Sequence, residues 1–183
     1  MKAITITEVF DSDVNSYLSM FLNDDYYKYI VEQDDAMIDY KLIDKRKIDD
    51  NIYETKQKTI KNIASDLNEE LKYVLITFLG LDELTIQDID SDVKINFKKK
   101  SIEMTFTSKL LTLSKCKLTS KQTFVDLPDN KCRRKMKFTA KCQMPMVGDT
   151  LEEFICEDIS NASKDIDKLT NQWLINNCKD LSE

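Results

Sequence analysis

Apolar and polar residues alternate with a period of two along much of the chain, which predicts an extensive β-sheet. The clearest run is 131–143, where Arg134, Met136 and Phe138 share one parity with cysteines and an alanine, and lysines occupy the other parity. A period of two places these sets on opposite faces of a strand. The same alternation predicts further strands at 2–10, 36–43, 52–61, 83–98, 101–109, 111–119 and 122–127.

Apolar residues spaced by three and four positions predict helices in other parts of the chain. Two short helices are expected at about 11–22 and 23–33, and a third at 65–80. The longest begins near Asp149 and extends to about Cys178. Its apolar residues form one stripe along the helix: Leu151, Ile155, Ile159, Ala162, Ile166, Leu169 and Trp173.

The stretch CQMPMVGDTLEEFI, residues 142–155, marks the corner between the last strand and the long helix. Pro145 ends the strand because proline cannot donate a hydrogen bond to the ladder. We expect Gly148 to turn the chain with a backbone conformation that other residues resist. Asp149 then caps the helix, and Glu152 completes a capping box. The pattern therefore predicts a many-stranded antiparallel sheet with one long amphipathic helix across it.

The corner carries a resemblance to a known family. Pro145, Val147, Gly148 and Glu152 resemble the Pro-x-Val-Gly turn and following acid of START-like helix-grip domains, in the superfamily of polyketide cyclases and lipid-transport proteins. The segment LKYVLITFLG, residues 71–80, resembles the short helix of that family that ends in Leu-Gly. The order of elements fits the family over about residues 2–178.

The resemblance implies an α+β fold, in which a curved antiparallel β-sheet grips a long C-terminal α-helix, with short helices near the N-terminus and mid-chain. It also implies an apolar cavity between the sheet and the helix, of the kind that holds a sterol, a phospholipid or a fatty acid. The length suits one domain over residues 1–183, which we expect to be a monomer.

The candidate wall of that cavity combines the inward parity of the strands with the stripe on the long helix. Methionines in it suit either irregular packing or adaptable binding of apolar ligands, so a filled core and an open cavity both remain possible. Arg134 shares the inward parity, which leaves three alternatives. It lies at the rim of the cavity, it meets a polar head group or a carboxylate inside, or a bulge turns it outward. The candidate wall consists of Tyr40, Met104, Phe106, Arg134, Met136, Phe138, Met144, Ile155, Ile159, Ala162 and Ile166.

Charge is distributed unevenly along the chain, whose formal net charge is −6. Residues 94–141 contain 14 lysines and arginines against three acids. The outward parity of 131–143 forms a basic row, Arg133, Lys135, Lys137 and Lys141, which is either a solvated strand face or a surface for transient contact with an anionic membrane or an acidic partner. Nucleic acid is not expected as a partner, because the row lacks interleaved aromatic residues and the whole chain is acidic.

Residues that carry chemistry are scarce in this sequence. It contains no histidine, which removes Ser-His and Cys-His pairs, and it has no glycine-rich phosphate loop. Asp88, Asp90 and Asp92 are spaced like the start of a calcium loop, but Val93 and Lys99 occupy the positions that need glycine and glutamate. We therefore expect no catalytic residues, no metal and no cofactor, and we predict that the chain is not an enzyme.

The expected location of the protein is cytoplasmic. No apolar run approaches the ~20 residues that span a bilayer, and the first ten residues lack the apolar core of a signal peptide. The five cysteines lie far apart, with no C-x-x-C pair, and are expected to be reduced and mostly buried.

Two functions remain open at this stage. The first is binding of an apolar small molecule, a lipid by preference, in the internal cavity, as a carrier or sensor. The alternative is a protein-interaction module, similar to a chaperone cofactor, with a filled core and no ligand.

Overall fold

Residues 1–62 and 86–177 are described in a computed structural model of the protein. The helix predicted at 65–80, with the family-like segment 71–80, and Cys178 lie outside these residues. The described elements are, in chain order, β1 Lys2–Phe10, α1 Val14–Met20, α2 Asp24–Gln33, β2 Met37–Asp49, β3 Ile52–Asn62, β4 Ile86–Asn96, β5 Ser101–Ser108, α3 Lys109–Leu113, β6 Cys116–Leu127, β7 Lys131–Cys142 and α4 Gly148–Asn177.

The strands form one antiparallel sheet in the order β1-β7-β6-β5-β4-β3-β2, and α4 lies against β7 and β1 at one end of this order. The predicted α+β fold class is confirmed. The alternation along β7 is confirmed as well, because Arg134, Met136 and Phe138 are buried while the residues between them are exposed or half-buried.

Two stretches differ from the sequence prediction. Residues 109–113 are helical rather than extended, because the side chain of Ser108 caps the helix by accepting a hydrogen bond from Leu111 N at 3.1 Å. One strand, β6, then replaces the two strands that were predicted. In β2, the alternation predicted that Ala36, Ile38, Tyr40 and Leu42 share one side, but a register shift after Met37 turns Ile38 outward, where 49% of its surface is exposed.

At the corner, residues 143–147, the backbone turns at a different residue from the one predicted. The residue with a left-handed backbone is Met146, with φ of 70°. Gly148 instead allows close approach, because a Cβ atom there would lie 3.2 Å from the carbonyl oxygen of Cys142, which is tighter than an ordinary van der Waals contact. Glu152 does not complete a capping box and instead accepts a hydrogen bond from Cys142 N at 2.9 Å, which fixes the first turn of α4 to the end of β7.

The prediction of reduced cysteines is wrong for one pair. Cys116 and Cys142 lie directly opposite each other on β6 and β7 and form a disulfide. Register brings them together across 26 positions of sequence. Cys132 and Cys156 are buried, as expected.

One half of the concave face of the sheet is filled by α1, α2 and the last turns of α4. We call this region the packed half. Aromatic side chains contact one another throughout the packed half. In the pair Tyr26 and Trp173, for example, the ring centroids are 5.5 Å apart. Its buried residues are Phe10, Val14, Tyr17, Leu18, Met20, Phe21, Tyr26, Tyr27, Ile30, Val93, Ile95, Ile102, Phe124, Cys132, Trp173 and Leu174.

Candidate functional site

The other half of the concave face encloses an apolar cavity of about 270 Å³. We call this region the cavity half. Its wall is built by β2 to β7, by α3 and by the first turns of α4. The residues of the wall are Met37, Tyr40, Thr59, Gln87, Ile89, Ser91, Met104, Phe106, Leu110, Leu111, Ser114, Leu118, Phe138, Leu151, Phe154, Ile155, Asp158 and Ile159.

Strand register explains how the floor of the cavity forms. Ser91, Phe106 and Leu118 lie opposite one another on three neighbouring strands, so their side chains point to the same face. Above this row, α4 contributes Ile155 and Ile159, which are one helical turn apart and half-buried. Sheet and helix thus face each other across a space that the side chains do not fill.

Helix α3 closes the cavity from the side. It is a single short helix between β5 and β6, and it places Leu110 and Leu111 in the wall. The sequence prediction missed these residues because the Leu-Thr-Leu alternation of 111–113 is typical of a strand. Ser108, two positions before the pair Leu110 and Leu111, was the available signal for a capped helix.

The polar groups of the wall near β2 are held by a hydrogen-bonded chain. The hydroxyl of Tyr40 donates to Gln57 Oε1 at 3.3 Å, and Gln57 Nε2 donates to the hydroxyl of Tyr27 at 2.8 Å. Tyr27 in turn donates to the carbonyl oxygen of Phe21 at 2.7 Å. Burial raises the pKa of Tyr40, so its hydroxyl stays protonated at neutral pH.

Arg134 lies in the packed half, away from the cavity wall. Its guanidinium donates to Asp167 Oδ2 at 2.6 Å and to the hydroxyl of Tyr17 at 3.2 Å, and it lies 5.3 Å from the ring centre of Phe10. Burial raises the pKa of Asp167, an effect that the charge of Arg134 opposes. Arg134 therefore meets a carboxylate inside the protein and is neither at a rim nor turned outward.

Six of the eleven predicted wall residues line the cavity: Tyr40, Met104, Phe106, Phe138, Ile155 and Ile159. Their contact with a ligand stays a prediction.

The other five predicted residues lie elsewhere. Arg134 is held by Asp167, Met136 is buried in the sheet, Met144 packs with Val147 and Leu151 at the corner, and Ile166 packs against the packed half. Ala162 is half-buried and lies one turn beyond the end of the wall. The cavity spans only part of the helical stripe, because α1 and α2 cover the rest.

The basic row lies on the convex face, opposite the cavity. Arg133, Lys135, Lys137 and Lys141 are exposed, and among the described residues none has an acidic group within ion-pair distance. Register adds a second basic strand, because Lys121 lies opposite Lys137 and Lys117 opposite Lys141.

Some lysines toward the other edge of the sheet have acidic partners. Lys94 pairs with Glu54 at 3.1 Å, and Lys58 pairs with Asp88 at 2.7 Å. The four charges of the basic row differ from these lysines because they have no ion pair within the described part of the chain.

Two features are absent from residues 1–62 and 86–177. No group of three or more Cys, Asp or Glu side chains there is arranged to hold a metal ion. No helix in that part of the chain is long and apolar enough to cross a membrane. A polar groove between α2 and α4, about 610 Å³, is lined by Asp34, Asp35, Asp165 and other polar residues and does not suit an apolar ligand.

Comparisons with known structures agree on the architecture. The Zhui aromatase/cyclase from Streptomyces sp. R1128 is similar over 99% of this chain and 98% of that chain, with a TM-score of 0.61 at 7% sequence identity. A START superfamily protein from Mycobacterium smegmatis matches over 93% of this chain and 98% of that chain, with a TM-score of 0.59 at 10% identity. This chain has a START-like helix-grip fold. The predicted resemblance is thereby confirmed.

Sequence comparisons add little about the function of this helix-grip chain. A family model described as a protein of unknown function (DUF2505) matches residues 88–174, from β4 into α4. No curated protein gave a significant match.

The prediction that the chain is not an enzyme is wrong, because the absence of histidine and of known motifs does not support it. Norcoclaurine synthase from Thalictrum flavum matches over 94% of this chain and 86% of that chain, with a TM-score of 0.59 at 10% identity, and the Zhui protein is an aromatase/cyclase. Enzymes therefore share the helix-grip fold, and the absence of histidine is no ground for excluding catalysis. Identities this low establish the fold alone.

Proposed function

We propose that the chain binds a small apolar molecule in the cavity between the sheet and α4. The apolar wall, built from six elements of the sheet and two helices, is the observation that carries this proposal. Burial of apolar ligand surface in such a wall supplies the driving force. The helix-grip architecture shared with aromatase/cyclases is consistent with a ligand site in this position.

The volume of the cavity sets the size of the ligand. An engineered cavity of ~150 Å³ takes up benzene, and ligand pockets usually measure ~300–1,000 Å³. The 270 Å³ here suits a two-ring compound or a single medium-length acyl chain. A lipid with one chain fits this proposal better than a whole phospholipid or sterol.

Calorimetric titration with 2-methylnaphthalene tests the proposal. We expect saturable binding by the wild type and none by Ile155→Trp, because the indole ring occupies the space beside the sheet. Asn161→Trp, which adds the same ring at an exposed position of α4, is the matched control and should bind normally. Failure of the wild type to bind would reject the proposal.

Competition with 1-decanol then tests the lipid class separately. Displacement of 2-methylnaphthalene supports a single-chain lipid, and a failure to displace it removes the lipid while leaving the apolar site. The alternative of an interaction module with a filled core predicts no binding of either compound.

A second role is supported by the convex face. We propose that Arg133, Lys135, Lys137 and Lys141 contact an anionic membrane surface, since their charges are exposed and lack acidic partners among the described residues. Each such charge contributes on the order of 1 kcal/mol near an anionic bilayer. A membrane contact on this face would leave the cavity on the other side of the sheet free to exchange ligand.

Vesicle sedimentation tests this role. We expect binding to phosphatidylserine-containing vesicles at low salt, and a loss of at least about tenfold when the four residues are changed to glutamine. The matched control changes four lysines that have acidic partners, Lys41, Lys47, Lys58 and Lys94, and removes the same net charge. Equal losses in both variants would show that total charge, rather than this row, is responsible.

A further inference from the structure

The boundary between the cavity half and the packed half contains two inward-facing polar residues on β6. Ser120 lies in register between Met104 on β5 and Phe138 on β7, and both of these neighbours belong to the cavity wall. Gln122 follows on the same face, two positions further along β6. Neither side chain is part of the cavity wall itself: Ser120 borders the wall through Met104 and Phe138, and Gln122 lies one row further along, between Ile102 and Met136.

Both side chains are buried, and each leaves a polar atom without a hydrogen bond. Ser120 and Gln122 are each 4% exposed, and neither Ser120 Oγ nor Gln122 Oε1 has a partner among the described residues. Gln122 Nε2 reaches only the sulfur of Met104, at 3.6 Å. The contrast with Gln57 is direct, because both ends of that amide are hydrogen-bonded to tyrosines.

Buried polar atoms without partners are costly, by roughly 1–3 kcal/mol each, and native proteins keep few of them. Such an atom beside a cavity is accounted for when a bound molecule completes its hydrogen bonds. Met104 lines the cavity and also contacts Gln122, and because its side chain is flexible, a change of its rotamer can bring a ligand next to these atoms.

We propose that the cavity ligand carries a hydroxyl group that is held by Ser120 and Gln122. A hydroxyl both accepts and donates, so it can accept from Ser120 and donate to Gln122 Oε1. The two residues are about 7 Å apart along the strand, which lets one oxygen between them reach both side chains. A carbonyl oxygen cannot donate to Gln122, and a carboxylate would bring a buried charge with no cation beside it.

This inference rests on the proposed function and names the chemical class of its ligand. An apolar body fills the space between Phe106 and Ile155, and the hydroxyl lies at the deep end of the cavity. A phenol or an alcohol of two-ring size meets both requirements.

Titration with a matched pair of compounds tests the inference. The compounds 2-naphthol and 2-methylnaphthalene share one ring system and differ by a hydroxyl in place of a methyl group. The measured quantity is the ratio of their dissociation constants in the wild type and in the Ser120→Ala/Gln122→Met variant. Comparing the ratios cancels the difference in hydration between the compounds. We expect the preference for 2-naphthol to fall by roughly three- to tenfold in the variant.

The control is Thr123→Ala, on the exposed face of the same strand, which should leave the ratio unchanged. An identical ratio in the wild type and the double variant would overturn the inference while leaving the apolar site intact. If neither compound binds the wild type, the proposed function fails, and the inference fails with it.

Thermal melting of Ser120→Ala without ligand gives an independent readout. Removal of a hydroxyl that has no partner should leave the melting temperature unchanged or raise it. A clear decrease would show that Ser120 already has a structural hydrogen bond, which contradicts the proposal.

Discussion

The packed half and the cavity half lie on the same face of one sheet and differ in what covers them. Over the packed half, α1 lies against β6 and α2 lies against β2, and Tyr17, Leu18 and Ile30 are at most 1% exposed. Over the cavity half, α3 and the first turns of α4 provide the cover among the described residues, and the space beneath them stays open. The strand pattern alone therefore does not decide whether a sheet face is filled.

The two halves also use polar groups differently. In the packed half, Arg134 and Asp167 form a buried ion pair at 2.6 Å, which joins β7 to α4. Burial raises the pKa of the neighbouring Tyr17 to about 12. At the edge of the cavity half, Ser120 and Gln122 keep polar atoms without partners. In the packed half the charge of Arg134 is paired within the protein, although its Nε has no hydrogen-bond partner among the described residues, whereas Ser120 and Gln122 present unpartnered atoms near an open space.

The largest expected effect concerns the ion pair of the packed half. Asp167→Ala should lower the free energy of unfolding by ~3–5 kcal/mol, because it leaves the charge of Arg134 buried without its partner. Urea denaturation measures the change. Glu103→Ala, which removes a surface pair with Lys121, is the control and should cost about 0–1 kcal/mol. Similar small losses in both variants would mean that water reaches the charge of Arg134 in the packed half, which contradicts the prediction.

A pair of isoleucines compares the packing of the two halves. Ile30→Ala in the packed half should cost ~2–5 kcal/mol, because it removes buried methylene groups and leaves a new void. Ile159→Ala enlarges a space that already exists, so we expect a loss of only about 1–2 kcal/mol. Chemical denaturation of both variants provides the comparison. Equal losses would contradict the distinction between the halves.

Enlarging a side chain should give a smaller effect of the same kind. Ile102→Phe forces a larger group into a site with no exposed surface and should cost ~1–3 kcal/mol. Ile155→Phe can extend into the cavity, so we expect less than about 1 kcal/mol. Melting temperatures rank the two variants, and the reverse order would indicate that the cavity is filled in solution.

The sequence was sufficient to predict the elements whose pattern is strictly periodic. The alternation of β7 and the stripe of α4 each reflect one local geometry, and so Phe138, Ile155 and Ile159 were correctly expected to face inward. The same stripe wrongly predicted that Ala162 lines the cavity. Periodicity identifies the face of a helix but does not show which of its turns faces a cavity. That depends on where α1 and α2 lie.

Contacts between distant residues could not be predicted in the same way. Asp167 is the partner of Arg134 across 33 positions, and nothing local to either residue marks the pair. The Cys116–Cys142 disulfide depends on the register of β6 against β7. The short helix α3 was hidden by an alternation typical of strands. Six of the eighteen residues of the cavity wall were therefore predicted from local pattern, and the other twelve were not.

Isoleucine-methyl NMR during titration with 2-methylnaphthalene tests the difference between the halves most directly, because isoleucines occur in both. We expect the methyl signals of the cavity residues Ile89, Ile155 and Ile159 to shift with ligand concentration. The signals of Ile30, Ile95 and Ile102 in the packed half should stay in place. Shifts spread equally over both sets, or no shifts at saturating ligand, would contradict the account of one sheet face with a packed half and a ligand-binding half.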